Sequence, residues 1–288
     1  MHTPTRDFDA TLAALTIYPV KSCAGVSPRE ALLVDTGLDL DRAWMVVDRA
    51  GQFLSQREWP RMALIQPRLT TFEVVLRAPG MLALHLAIDA VERPARVRVW
   101  DDEVDAWDMG DVAAQWFSDF LGLAARLVRF DPACRRLASA AWTGGIEAPN
   151  QFADGFPLLV IGEASLAQLN ARLRAAGHAA VEMARFRPNL VLAGGQAHDE
   201  DRLDILHVAT AQGEVRLKLV KPCVRCSIPD IDPATAQRGT AVSETLRGYR
   251  ADARVGGAIS FGMNAIVLDG VGQTLRVGQP ASADFRFD

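Results

Sequence analysis

The run MALIQPRLTTFEVVLRAPGMLALHLAIDAVERPARVRVW, Met62–Trp100, decides the fold class. It holds four short apolar or alternating segments, Met62–Pro67, Thr71–Leu76, Met81–Ile88 and Arg96–Trp100, parted by proline or glycine. Segments of that length and punctuation read as β-strands. Outward on the N-terminal side, Trp44–Gln56 reads as a hairpin turned at Arg49-Ala-Gly51. Ala31–Asp35 and Ala43–Asp48 are further strands, with Gly37 and Asp39–Arg42 between them. Residues 12–20 form a first strand ended by Pro19, and Lys21–Gly25 is a loop. So many short strands predict a barrel or sandwich, not a βαβ sheet.

On the C-terminal side a helix starts at Asp111, a plausible N-cap, carries Trp116, Phe117 and Phe120 at helical spacing, and stops at Gly122. Ala125–Phe130 is a strand. Asp131–Asp154 has little periodicity and reads as a long loop, a length more often functional than not. Phe156–Ile161, Leu190–Ala193, Leu203–Thr210, Val215–Val220, Ser260–Leu268 and Leu275–Val277 are strands; Glu163–Ala176 and Leu246–Arg250 are helices. The expected class is mainly β (α+β). A boundary near the long loop divides an N-terminal β domain, 1–128, from a second domain, 129–288.

Of the 288 residues, 49 % are hydrophobic, enough for a substantial core, and the net charge of −4 gives no global pull toward nucleic acid or an anionic membrane. The N-terminus, Met1–Asp9, lacks the apolar stretch of a signal peptide, and no run approaches a membrane span. A cytoplasmic protein with reduced thiols is expected, without membrane or nucleic-acid partners.

Chemistry concentrates in Lys221-Pro-Cys-Val-Arg-Cys-Ser-Ile-Pro-Asp-Ile-Asp-Pro233. Its three prolines argue that it neither continues the preceding strand nor starts a long helix. Cys223 and Cys226 then sit on a stiff loop, flanked by Lys221 and Arg225, whose charges favour a thiolate. Two ordinary loop cysteines is the plain reading. A structural zinc site needs about four ligands. Only Cys23 and Cys134 remain to supply sulfur, and the five histidines are scattered. A thioredoxin-type dithiol needs a following helix, which the prolines oppose. A single thiolate ligand to a soft metal remains, sufficient if a cofactor brings the other ligands. Lys21-Ser22, Arg42 and Arg185-Phe-Arg187-Pro-Asn189 lie at strand ends and suit an oxyanion such as phosphate; for each alone, a solvated charge is the simpler account. P-loop, Gly-x-Gly-x-x-Gly, His-Glu-x-x-His and Gly-x-Ser-x-Gly motifs are absent.

Together, Ile17–Gly25, Asp41–Asp48 and Phe53–Pro60 resemble the N-terminal β-barrel domain that precedes MOSC domains. Phe152–Asn170, Arg185–Asn189 and Pro222–Cys226 resemble the MOSC domain itself. Within that family the amidoxime reducing components are the nearest in pattern. The resemblance implies a molybdenum-cofactor (Mo-pyranopterin) oxidoreductase, independent of pyridoxal phosphate. Cys226 would be the metal ligand and catalytic centre. Lys21, Ser22, Arg42, Arg187 and Asn189 would hold the cofactor, helped by backbone near Gly155, Phe156 and Arg225, and Cys223 would not ligate. The implied reaction is N-reductive, removing water from amidoximes, hydroxylamines and N-hydroxylated bases. The chain ends soon after Pro280 with no further cysteine, so a separate ferredoxin-, flavodoxin- or cytochrome-like donor is expected. The runner-up is a cofactor-binding or sulfur-carrier module with a Cys226 persulfide. A third reading is a reversible Cys223–Cys226 dithiol.

Overall fold

The computed structural model describes residues 6–286. Met1–Thr5, part of the N-terminal stretch read above, lie outside the described residues. Seven strands close into a barrel, in the spatial order Leu158–Gly162, Leu190–Ala193, Phe8–Leu15, Pro280–Phe285, Leu203–Thr210, Gly213–Val224 and Ala258–Asp269. The last returns to the first in antiparallel register, Leu158 opposite Ala265 and Val160 opposite Met263. Every second residue points inward: Leu158 and Val160, Leu190 and Leu192, Leu206 and Val208, and Val215, Leu217 and Leu219. That period of two is what a strand with one buried face requires. Closure also leaves these seven strands no open edge. At the seam, Gly262 has φ 81°, and a Cβ there would fall 2.5 Å from Ile161 Cγ1 and 2.9 Å from the Val160 carbonyl. Only glycine lets the strands approach so closely.

The first strand begins at Phe8, earlier than expected, and sits between Leu190–Ala193 and Pro280–Phe285, antiparallel to both. The chain's start is thus built into a barrel otherwise drawn from residues beyond 157. Residues 20–127 have their own core. There the helix Asp111–Leu121 lays Trp116, Phe117 and Phe120 among Met62, Val74 and Leu76. A four-stranded sheet of Trp44–Val47, Arg126–Phe130, Asp102–Asp108 and Arg93–Val99 leads from this core toward the barrel.

Several local expectations are corrected. Met62–Pro67 is not a strand. Pro60 opens a 3₁₀ turn over Pro60–Leu64, where a fixed φ and a missing N–H cost nothing, and the strand starts at Gln66. The N-cap of the first helix is Gly110; Asp111 lies in the first turn and pairs with Arg126 at 2.8 Å and Arg93 at 3.0 Å. The strand Asp102–Asp108 escaped detection because its outward positions are acidic. Those acids face Arg96 and Arg98 across the sheet, with Arg96 3.1 Å from Glu103 and 2.8 Å from Asp105. The long loop contains a short helix, Ala140–Thr143, and the last helix spans Ala241–Arg247.

A second layer covers the barrel where the helix Glu163–Ala175 sets Leu169 and Leu173 against Phe186 and Phe261. His198 lies at its edge, against the Tyr249 and Phe261 rings, with Nε2 2.9 Å from Gln168 Oε1. Burial, helped by the Arg250 and Arg172 charges, pushes its pKa from 6.5 down to about 4. The fold therefore holds the imidazole neutral, and the unfolded chain binds the extra proton first. This contribution is complete above pH 6.5 and is lost as pH falls toward 4; it amounts to at most about 3 kcal/mol. His198→Gln should flatten that part of a stability–pH curve measured by urea unfolding; an unchanged slope would refute the assignment.

Candidate active site

The cysteine segment differs from the expected loop. The strand Gly213–Val224 runs on through Pro222, which faces Met263 between two register shifts. Pairing with the neighbouring strand Leu203–Thr210 ends at Lys218, so the ring and its missing N–H meet a ladder on one side only. Past the strand, the Arg225 N–H donates to the Ile259 carbonyl (2.9 Å). A 3₁₀ turn, Ile228–Asp230, follows. The buried Asp230 carboxylate accepts from the N–H groups of Val242 and Ser243 at 3.1 and 3.0 Å, fastening the loop to the last helix.

The two sulfurs are not equivalent. Cys223 is half-buried and accepts from Arg225 Nη1 at 2.9 Å, while Arg225 Nη2 donates to the Phe186 carbonyl at 2.9 Å. Cys226 is exposed. All four cysteines are free, and Cys23 is inert: burial, only partly opposed by Arg187, pushes its thiol up to about 12.

The cleft that the thiols border also carries several cations. Lys21 is buried, and its Nζ donates to the Phe152 carbonyl (2.8 Å) and to Asp154 (2.5 Å). Burial works to lower the Lys21 pKa, against the pull of Asp154. Burial would raise the Asp154 pKa, but Lys21, the Trp100 indole N–H and Arg57 outweigh it and hold it below the usual carboxylate range. The Asp154 side chain is nonetheless 66 % exposed, so solvent screens this pair. Arg42 donates to Asp41, to Asn189 Oδ1 (3.0 Å) and to the Arg187 carbonyl (3.3 Å). Arg187 Nη1 donates to the Cys23 carbonyl at 2.6 Å. Both guanidiniums lie against the Tyr18 ring, at 4.4 and 4.1 Å. Asn189 is occupied within the fold: its amide bonds the Thr16 carbonyl (3.1 Å) and the Leu159 N–H (3.2 Å), which makes it a brace for Arg42.

Ser22, Arg42 and Arg187 all hold left-handed backbones, with φ of 66°, 51° and 58°. Such conformations cost about 1 kcal/mol or more each and gather where a site demands them. The Asp131–Asp154 loop reaches the site through Arg136. This nearly buried guanidinium donates to Asn150 Oδ1 and to the carbonyls of Gln151, Ala153 and Asp154, at 2.5 to 3.2 Å. Sequence reading passed over Arg136, since one arginine in an aperiodic loop has no distinguishing signal.

Lys21, Ser22, Arg42, Gly155, Phe156, Arg187, Asn189, Arg225 and Cys226 all line one cleft of about 120 Å³. Phe53, Arg57, Asp154 and Asn264, none of them anticipated, line it too. A larger cavity of about 780 Å³ lies beyond Arg187 and Tyr18, but no cysteine lines it.

Two features fit a soft metal carried by an anionic cofactor. Arg187 Nη2 and Arg225 Nε are buried N–H groups without a partner, a state costing about 1–3 kcal/mol each until an acceptor arrives. Among the described residues, no cluster of three or more His, Cys, Asp or Glu can hold a bare metal ion. A metal at Cys226 therefore requires ligands that come with it.

The family model described as MOSC N-terminal beta barrel domain matches residues 9–124, and that of the MOSC domain matches residues 147–282. Human mitochondrial amidoxime-reducing component 1 is 34 % identical over 284 residues, 94 % of this chain and 82 % of the relative. The rat mitochondrial amidoxime reducing component 2 is 35 % identical over 253 residues, 83 % of this chain and 72 % of the relative. Human molybdenum cofactor sulfurase is 28 % identical over 266 residues, 87 % of this chain but 29 % of the sulfurase. Among the described residues, no helix is long and apolar enough to cross a membrane.

Proposed function

Since the chain belongs to the family that joins a MOSC N-terminal β-barrel to a MOSC domain, we propose that it is a molybdenum-cofactor-dependent reductase of N-hydroxylated compounds. Amidoximes, hydroxylamines and N-hydroxylated bases are the substrates. An amidoxime takes two electrons and two protons, its N–O bond breaks, and an amidine and water leave. A separate protein supplies the electrons. The observation that carries this reading is the exposed Cys226 sulfur in a cleft also lined by Lys21, Arg42 and Arg187.

The bound cofactor would supply the two-electron chemistry and the remaining metal ligands; the chain supplies binding and orientation. Cys226 would hold the metal. Arg187, with its unpartnered Nη2, and Arg42 present guanidiniums to the cofactor's phosphate. Lys21 joins them once the exposed Asp154 swings aside. Gly155 has open space where a Cβ would be, which leaves room for a ligand close to the backbone. Cys223 also borders the cleft, but Arg225 holds its sulfur in a hydrogen bond.

An exposed sulfur also suits a persulfide, and the sulfurase relative favours keeping that second reading. One experiment separates the two. Protein purified from a cofactor-competent host should contain near-stoichiometric molybdenum and reduce benzamidoxime with reduced methyl viologen. Full molybdenum with no turnover of any N-hydroxylated compound would favour the carrier.

A further inference from the structure

An open groove of about 560 Å³ adjoins the cleft and shares Phe53 and Arg57 with it. Phe53, Trp59 and Trp100 give it an aromatic lining, and Glu58 and Asp101 an acidic rim. We infer that this groove is the substrate subsite, and that it takes the planar aromatic part of an N-hydroxylated compound whose N–O group reaches toward Cys226. The inference rests on the reductase reading and adds the class of substrate.

Trp100 carries most of the case. It sits at the turn joining Arg93–Val99 to Asp102–Asp108, is 40 % exposed, and has φ 56°. A bulky side chain in the left-handed region is strained and needs a compensating tether. Its tether leads to the cleft: the indole N–H donates to Asp154 Oδ1 at 3.2 Å, and the same oxygen takes the Lys21 ammonium. The Trp100 and Phe53 ring centroids are 5.1 Å apart, and the Arg57 guanidinium lies 4.3 Å from the Trp100 ring. Arg57, a planar cation stacked on that indole, marks the place a planar ligand would take. Half-exposed Trp and Phe faces beside a cleft offer stacking that a methyl group cannot match. The acidic rim disfavours carboxylates and admits a neutral amidoxime or its cationic amidine product.

Steady-state kinetics of Trp100→Ala and Trp100→Phe on benzamidoxime and acetamidoxime, with reduced methyl viologen as donor, test this. Trp100→Ala should raise the KM for benzamidoxime about tenfold more than the KM for acetamidoxime, since loss of the Asp154 tether acts on both compounds alike. Trp100→Phe keeps a ring but drops the indole N–H, and should keep the ratio of the benzamidoxime to the acetamidoxime KM near wild type. Equal KM changes for both compounds, or none, overturn the subsite. So does a loss confined to assays with a protein donor, which would make the groove a donor-docking face. If wild type reduces neither compound, the reductase reading fails by itself. Calorimetric titration with benzamidine then decides the groove: about tenfold weaker binding by Trp100→Ala upholds it, and equal binding or none by wild type removes it.

Discussion

Cys226→Ser should lose benzamidoxime reduction by more than the roughly 100-fold that removal of a mere supporting residue costs a metal site, while Cys223→Ser keeps much of it. The asymmetry follows from placement. Cys226 stands just past the end of the strand Gly213–Val224, exposed and on the cleft. A hydroxyl in its place is a hard, protonated donor that a soft metal binds poorly. Cys223 is one of the strand's last residues, half-buried, with its sulfur engaged by Arg225 Nη1. Serine there can still accept that bond, so the cost is a small packing loss near Phe186. Activity and molybdenum content should fall together in Cys226→Ser. Equal loss from the two variants would mean that both sulfurs act, as in a dithiol, and would end the single-ligand reading.

Arg42→Ala should lower the molybdenum content of the purified protein about 10- to 100-fold, the worth of a hydrogen bond to a charged group expressed as an equilibrium constant. The same change strips the buried Asp41 carboxylate of its ion pair; Asp41 is 3 % exposed and otherwise accepts the Tyr18 N–H at 2.8 Å. Breaking such a pair from one side typically destabilises by about 3–5 kcal/mol. Metal loss in Arg42→Ala alone would therefore conflate site and fold. Arg42→Lys separates them: it keeps a charge for Asp41 but has no planar fork for a phosphate. A folded Arg42→Lys protein with reduced molybdenum places the guanidinium on the cofactor. Unchanged molybdenum in both variants takes Arg42 out of the site.

Much of the β-structure was legible because alternation is local. Leu203–Thr210 is found with its expected bounds, and Leu190–Ala193 likewise. The strand Asp102–Asp108 was hidden by the acids on its outer face, and Pro280–Phe285 by the small Ala281 and Ala283 that fill its inner one. Proline misled twice. Pro60 starts a 3₁₀ turn that runs on to Leu64, into what looked like strand, and Pro222 stays in a strand because its neighbour on one side has already ended. The thiol pair and the basic strand ends were visible as residue types. Arg57, Trp100 and Arg136 were not, since an isolated arginine or tryptophan looks the same in a site as on a surface.

By itself, the sequence determined a mainly β chain, its two long helices, and the pairing of one thiol-bearing segment with several cationic strand ends; each is a property of a few neighbouring residues. Only the tertiary structure decided that Phe8–Leu15 closes the barrel beside Pro280–Phe285, that positions as distant as 21, 42, 155, 187 and 226 border one cleft, and that Cys226 is the open sulfur and Cys223 the tethered one. Strand partners and unsatisfied N–H groups arise from contacts between residues far apart along the chain, and no local period encodes them.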